Sequence, residues 1–120
     1  LLGYRSNEEI SHILNHASAL LCVSYFEGFG MPVIEAQRCG CPVIASNTSS
    51  LPEASGGAAL LVNPSDDNAI ADAMKKIMED SLLRAELIEK GFNNIKRFSW
   101  EKTADAIYSL LQELYKQGVP

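Results

Sequence analysis

The sequence is poor in cysteine, lacks a long apolar run and has no excess of basic residues. Its 10 lysines and arginines are outnumbered by 15 aspartates and glutamates, which gives a net charge of −5. Nucleic-acid-binding proteins concentrate Lys and Arg on one face, so this balance argues against nucleic acid as a partner. No apolar stretch is long enough to span a bilayer as a helix. We therefore expect neither a nucleic-acid partner nor a transmembrane segment.

The cysteines are 3 in number, Cys22, Cys39 and Cys41. Cys22 lies in an apolar run, which predicts a small buried side chain. One residue separates Cys39 from Cys41, and this spacing suits neither a zinc knuckle nor a redox pair. We predict reduced thiols, no metal site and a cytoplasmic location.

A chain of 120 residues forms one domain at most. It opens at Leu1-Leu2-Gly3 without an initiator Met, and we expect a piece of a longer protein. Three apolar runs read as buried strands of a parallel sheet, namely Ala19 to Ser24, Pro42 to Ser46 and Ala59 to Val62. Leu1-Leu2 can end a fourth strand. The strands alternate with helical segments, which predicts an α/β fold with a Rossmann-like sheet whose beginning is missing.

Helix starts are marked by capping residues. Ser6 and Glu9 form a capping box that opens a helix over about Asn7 to Ala17. Pro32 opens a short helix that closes near Gly40. Further helices are predicted after Asp66, over about Leu82 to Ile95, and after Ser99. Two of them carry apolar stripes expected to pack into the core, namely Ile70, Ala73, Met74, Ile77 and Met78, then Trp100, Ala104, Ile107, Tyr108, Leu111 and Leu114. A polar loop is expected from Asn47 to Gly57.

The turn from Ser24 to Pro32 joins the first strand to a helix. In an open parallel sheet, ligands bind beyond the carboxyl ends of the strands. Gly28 and Gly30 permit backbone conformations and close approaches that a Cβ forbids. The free N–H groups and the dipole of the helix favour an anion there, such as a phosphate. Taken alone, the G-x-G pattern fits a purely structural turn equally well.

Two carboxylates flank this turn. Glu27 precedes the glycines, and Glu35 follows about one turn into the helix. A carboxylate accepts hydrogen bonds from two adjacent hydroxyls, so each glutamate suits a sugar diol. With a phosphate-binding turn between the two glutamates, the three binding elements match a sugar, a diphosphate and a ribose. These are the parts of a nucleotide-activated sugar. A glycosidase acid/base pair and functionless surface glutamates are the alternatives.

The stretch E-G-F-G-M-P-V-I-E-A, Glu27 to Ala36, resembles the two-glutamate signature of retaining GT-B glycosyltransferases, the "glycosyl transferases group 1" family. The segments G-C-P-V-I-A-S, S-S-L-P-E and A-A-L-L-V-N-P follow in the family's order, and Phe98-Ser99-Trp100 also matches. The resemblance covers essentially the whole chain. It implies that residues 1–120 are an incomplete C-terminal, nucleotide-sugar-binding domain of a GT-B fold.

The resemblance also implies residue roles. Glu27 would bind hydroxyls of the donor sugar as the catalytic residue, and Glu35 would grip the ribose. Backbone amides of Gly28, Phe29, Gly30 and Met31 would hold the diphosphate and sugar. The family transfers sugars with retention, generally without an essential metal ion, and here the donor would be a UDP- or GDP-sugar. A hexose would move to a carbohydrate or lipid-linked acceptor.

Some family features are absent. Val23-Ser24 stands where Pro-Ser often precedes the motif. The Lys and Arg that neutralise the diphosphate, and the N-terminal acceptor domain, would lie upstream. We therefore expect the chain to be inactive alone, because the leaving diphosphate lacks electrostatic stabilisation. The missing domain could also bring the parent enzyme to the inner face of a membrane as a peripheral protein.

Several alternatives stay open at this stage. A non-catalytic nucleotide-binding or interaction module could use the same fold. Glu53 either lines the donor pocket or caps a short turn. His12 and His16 lie one helical turn apart, yet without the H-E-x-x-H pattern they indicate a solvated face. A sheet that lacks its first part exposes an edge and apolar surface, which predicts self-association of the fragment.

Overall fold

The computed structural model describes residues 3–118. The predicted strand end at Leu1-Leu2 lies outside the described residues. In chain order the elements are α1 (Asn7–His16), β1 (Leu20–Cys22), α2 (Met31–Arg38), β2 (Val43–Ser46), α3 (Leu51–Ser55), β3 (Leu60–Val62), α4 (Asp67–Glu79), α5 (Ser81–Asn94), a 3-10 turn (Ile95–Arg97) and α6 (Trp100–Lys116). The alternation of strands and helices confirms the predicted α/β fold.

The described strands form one parallel sheet in the order β1-β2-β3. Leu20 is in register with Val43, and Ile44 with Leu60. All of β2 is buried, as a strand with neighbours on both sides and cover on both faces should be. The same prediction is wrong for β1 and β3, because Leu21 and Leu61 are exposed on the outer strands.

The core is divided between the two faces of the sheet. Val43 and Ala45 point to one face, where the core includes Val33 and Ala36 of α2 and Leu14 of α1. The side chain of Ile44 points the other way, because successive residues of a strand alternate between faces. Its cluster includes Ala73 and Ile77 of α4 and Leu87 of α5. The sheet therefore lies between two layers of helices.

Capping side chains start the helices where the sequence predicted. The Ser6 hydroxyl accepts a hydrogen bond from the Glu9 N–H, and the Glu9 carboxylate accepts one from the Ser6 N–H. Asp66 and Ser99 accept from the N–H groups of Ala69 and Lys102. Each such bond satisfies a helix N–H that has no partner within its own helix.

The loop predicted from Asn47 to Gly57 contains a helix, α3, so that prediction is incomplete. Leu51 is fully buried, and Pro52 stands in the first turn, where its missing N–H removes no helical hydrogen bond. Gly56 ends the helix in the left-handed conformation. Five residues are too few to show helical periodicity, which explains why the sequence did not reveal α3.

The predicted burial of the α6 stripe is wrong for the described residues. Every residue of α6 is exposed, with Trp100 at 83% and Ile107 at 55%. In α4, Ala73 and Ile77 are buried as predicted, but Met74 and Met78 are exposed. An apolar stripe shows which face of a helix avoids water, but it does not show whether the covering element lies within the described residues.

Candidate functional site

The candidate site lies where the carboxyl ends of β1 and β2 meet the first turn of α2. The segment from Val23 to Gly30 leaves β1 and enters α2, and Gly30 is the N-cap of that helix. Residues 47–50 leave the neighbouring strand β2 and lead into α3. Because parallel strands end at the same edge of a sheet, these two segments lie side by side.

Hydroxyl groups of Ser46, at the end of β2, and of the second segment hold the backbone of the first. Ser46 donates to the carbonyl of Ser24 at 2.7 Å, and Thr48 donates to the carbonyl of Tyr25 at 3.4 Å. The hydroxyls of Ser49 and Ser50 both donate to the Glu27 carbonyl, at 2.6 and 2.8 Å. The Glu27 N–H in turn donates to Ser49 Oγ at 3.2 Å. Both backbone polar groups of Glu27 are thus bonded to serine side chains.

The four backbone amides that follow Glu27 are not bonded in this way. Within residues 3–118, the N–H groups of Gly28, Phe29, Gly30 and Met31 have no hydrogen-bond acceptor. They are consecutive and lead into the N-terminus of α2, where the helix dipole adds positive potential. Such a run of unpaired donors can bind an anion.

The two glycines of this turn differ in backbone conformation and in the space around them. Gly30 has a φ of 95°, and a Cβ there would lie 3.1 Å from side-chain atoms of Ala54 and Leu51 on α3. The conformation and the close packing both require glycine. At Gly28, a Cβ would meet no protein atom within 4 Å, and φ is not in the left-handed range. Neither the backbone conformation nor a protein contact at Gly28 would forbid a Cβ, so that part of the expectation is wrong. The close approach of a ligand into the open space beside Gly28 remains a prediction.

The carboxylates of Glu27 and Glu35 are available to a ligand. Glu27 is partly buried and Glu35 is exposed on α2. Among the described residues, neither carboxylate has a hydrogen-bond or ion-pair partner. Burial first, and then the negative charge of Glu27, raise the pKa of the Cys22 thiol at the end of β1. Glu27 itself lies in the segment that joins β1 to α2.

Glu53 lies on α3 and is exposed. Its carbonyl accepts from Arg97, but its carboxylate makes no hydrogen bond within residues 3–118. The capping role considered for Glu53 is therefore not observed. A role in lining the pocket remains a prediction.

Two aromatic rings connect the turn to the end of the domain. The rings of Phe29 and Phe98 meet edge to face with centroids 5.9 Å apart, and the Arg97 guanidinium lies 5.3 Å from the Phe98 centroid. Arg97 also donates to Asn94 Oδ1 at 2.9 Å. Its position is thus fixed by structural contacts, and sequence reasoning gave Arg97 and Phe98 no part in this region. Only the general match of Phe98 to the family pattern pointed to it.

The two histidines and the three cysteines lie outside the turn, although Cys22 directly precedes it. His12 and His16 are exposed on α1, where His16 Nδ1 lies 2.8 Å from the His12 carbonyl. Cys22 and Cys41 are buried and, like Cys39, free thiols; burial raises the pKa of Cys41 as well. The predicted small buried side chain at Cys22 is confirmed.

At the turn, Gly28 and Phe29 are exposed, as is Glu35 on α2. Two concavities lie elsewhere, one on α1 around His12 and Ile13 and one on α6 around Leu111 and Tyr115. Residues 3–118 bring together no group of three or more His, Cys, Asp and Glu side chains that could hold a metal ion. No helix in that range is long and apolar enough to cross a membrane.

Known proteins show the same sequence pattern and fold. Residues 1–94 match the family described as "Glycosyl transferases group 1". The chain is 38% identical over 100 residues to O-antigen chain mannosyltransferase B of Escherichia coli, covering 83% of this chain and 26% of that protein. It is 37% identical over 119 residues to D-inositol 3-phosphate glycosyltransferase of Corynebacterium jeikeium, covering 98% and 28%.

A solved structure extends the comparison to three dimensions. Sucrose-phosphate synthase from Thermosynechococcus elongatus superposes with a TM-score of 0.86 at 32% identity, covering 97% of this chain and 30% of that chain. The GT-B assignment of the fold is thereby confirmed. The chain spans between a quarter and a third of the length of these relatives.

Proposed function

The chain belongs to the glycosyl transferases group 1 family, and on this basis we propose that it is the donor-binding part of a retaining glycosyltransferase. The donor is a UDP- or GDP-sugar. A hexose passes from it to a carbohydrate or lipid-linked acceptor. The acceptor domain and the Lys and Arg that neutralise the diphosphate belong to residues outside these 120, so the chain alone does not catalyse transfer.

The run of four unpaired amides from Gly28 to Met31 carries the proposal. A diphosphate offers acceptor oxygens to these donors and a negative charge to the N-terminus of α2. The open space beside Gly28 lets the ligand approach the backbone. Arg97 is engaged with Asn94 and Phe98, so it does not replace the upstream cations.

The two carboxylates bind opposite ends of the donor in this proposal. Glu27, in the segment that follows β1, accepts hydrogen bonds from hydroxyls of the transferred sugar. Glu35, exposed on α2, accepts hydrogen bonds from the two ribose hydroxyls. Free UDP or GDP therefore needs Glu35 but not Glu27, whereas a nucleotide sugar needs both.

This difference gives a direct test. We would titrate the chain with UDP, GDP, UDP-glucose and GDP-mannose by calorimetry, and repeat the titrations with Glu35→Ala and Glu27→Ala. We expect Glu35→Ala to weaken all bound ligands by roughly tenfold, about the loss of one charge-assisted hydrogen bond. Glu27→Ala should weaken only the nucleotide sugars. Glu89→Ala, which removes an exposed carboxylate from α5, is the matched control.

Two results would contradict the proposal. Absence of binding of any of these ligands would remove the donor site altogether. If nucleotides bind, but Glu27→Ala lowers the affinity equally for free nucleotide and nucleotide sugar, a non-catalytic nucleotide-binding module would be favoured instead.

Cytoplasmic location also remains a proposal, motivated by three free cysteines and testable by cell fractionation.

A further inference from the structure

We propose that Ser49 and Ser50 are positioning residues for Glu27, and we call this pair the serine clamp. The inference rests on the proposed function, because it concerns how the donor-sugar carboxylate is held. Sequence reasoning placed these serines in a polar loop and in the family-matching segment S-S-L-P-E, but gave them no role. The structure places them on the backbone of the residue proposed to contact the sugar.

The clamp satisfies both backbone polar groups of Glu27, its carbonyl and its N–H. The Glu27 carbonyl accepts from Ser49 Oγ at 2.6 Å and from Ser50 Oγ at 2.8 Å, which uses both lone pairs of the oxygen. Ser49 Oγ also accepts from the Glu27 N–H at 3.2 Å. A single hydroxyl therefore bridges the donor and the acceptor of one residue that lies 22 positions earlier in the chain.

Ser50 gives up a common local role to make this contact. It is the N-cap residue of α3, where serine normally accepts a hydrogen bond from an N–H of the first turn. Here its side chain makes no capping bond, and its φ and ψ of −81° and −12° are not those of a usual N-cap. The hydroxyl is directed to the Glu27 carbonyl instead.

The backbone of Ser49 is strained in this position. Its φ is 59°, and among the described residues no other non-glycine residue has a positive φ. The left-handed region is strained for a residue with a Cβ, and such residues persist where surrounding contacts fix them. The bonds to Glu27 are contacts of this kind.

Helix α3 gives the clamp a rigid base. Gln37 Nε2 donates to the carbonyls of Ser55 and Ala58, at 3.0 and 3.3 Å. Asn94 Nδ2 donates to the Ala54 carbonyl at 2.7 Å and to Gln37 Oε1 at 2.8 Å. These bonds are buried, and they tie the end of α3 to α2 and α5. The serines at the start of α3 are thereby fixed relative to α2.

The clamp orients two groups at once. A peptide group is planar and trans. A fixed Glu27 carbonyl therefore also fixes the Gly28 N–H, which lies in the same plane and points in the opposite direction. Gly28 begins the run of unpaired amides, and the Glu27 side chain branches from the Cα atom that belongs to the same planar group. Loss of the clamp should therefore disturb sugar and diphosphate binding, with the larger effect on the sugar.

Four variants test the clamp. Ser49→Ala removes the hydroxyl but keeps the strain, whereas Ser49→Gly removes the hydroxyl and relieves the strain. Ser50→Ala removes the second hydroxyl, and Ser50→Thr keeps a hydroxyl at a φ that threonine tolerates. Ser109→Ala, on exposed α6, is the control. The measurements are thermal midpoints and calorimetric affinities for UDP, GDP, UDP-glucose and GDP-mannose.

We expect Ser49→Ala, Ser49→Gly and Ser50→Ala each to weaken the nucleotide sugar that binds wild type by roughly tenfold, with a smaller loss for the free nucleotide. Ser50→Thr should bind like wild type. Ser49→Gly should melt at least as high as Ser49→Ala and still bind weakly. A purely structural role predicts instead that affinity follows the thermal midpoint.

The outcomes separate the two proposals. If Glu27→Ala weakens the nucleotide sugar but the serine variants do not, the clamp is overturned and the donor site stands. If the losses in the serine variants follow their melting temperatures, or are equal for nucleotide and nucleotide sugar, the positioning role is also overturned. If Glu27→Ala has no effect, the proposed function fails and the clamp fails with it.

Discussion

Helices α4 and α6 carry the same kind of apolar stripe, yet they have different environments. In α4, Ile77 is 1% exposed and packs with Ile44 of the sheet and Leu87 of α5. In α6, Ile107 is 55% exposed, and every residue of the helix is exposed. The periodicity of a sequence therefore predicts an apolar face but not its partner. The candidate site lies in the packed region, next to α3, and not beside the exposed helix.

The largest effect should come from matched substitutions in the two helices. Ile77→Ala removes a buried side chain and should lower the free energy of unfolding by about 3 kcal/mol. Ile107→Ala should change it by less than about 0.5 kcal/mol, because the side chain is exposed. Urea denaturation at low protein concentration measures both. Equal losses would show that α6 is packed in solution.

The next effect concerns the polar network under α3. Asn94→Ala leaves the Ala54 carbonyl and Gln37 Oε1 without their donor, and should lower the free energy of unfolding by about 2 kcal/mol. Asn93→Ala is the control, since Asn93 is exposed and bonds only Lys96 among the described residues. A loss at Asn94 no greater than at Asn93 would mean that the network does not hold α3.

Self-association of the chain remains a prediction, and the exposed face of α6 and the edges of β1 and β3 are its basis. We expect sedimentation equilibrium to show an average mass above that of the monomer at high concentration. Leu111→Glu should shift the protein towards monomer, because it places a charge in the apolar stripe. A monomeric wild type at high concentration would contradict the prediction.

The smallest effect is the response of α1 to acid. The Ser6 N–H, and then Arg5, hold the pKa of Glu9 below its usual range. A lowered pKa in the folded state stabilises the helix above the unfolded pKa, and this stabilisation is lost as pH falls through the folded value. NMR should show the Ser6 and Glu9 amides losing protection in acid. Glu9→Gln should be insensitive over that range, because Gln can cap without titrating.

The elements that the sequence predicted best are those with a local chemical signal. Ser6, Asp66 and Ser99 mark helix starts through hydrogen bonds that span three residues, and the structure contains each of them. The apolar runs likewise located β1, β2 and β3 to within a few residues. Such signals need no knowledge of distant parts of the chain.

The features that the sequence did not reveal depend on contacts between distant residues. The serine clamp joins residues 22 and 23 positions apart, and the Asn94–Gln37 bond spans 57 positions. The run of hydroxyl residues after β2 was a usable signal, because β2 must lie beside β1 in a parallel sheet. The environment of the α6 stripe could not be predicted in the same way, since no element of the described residues covers it.

The most direct measurement is an NMR titration of the ¹⁵N-labelled chain with UDP-glucose and GDP-mannose. The proposed donor site predicts that one of these ligands shifts the amide signals of Gly28, Gly30 and Met31, together with that of Glu35, while the signals of α6 stay unchanged. Shifts confined to α1 or α6, or no shifts from either ligand at millimolar concentration, would contradict the proposal that this turn binds a nucleotide sugar.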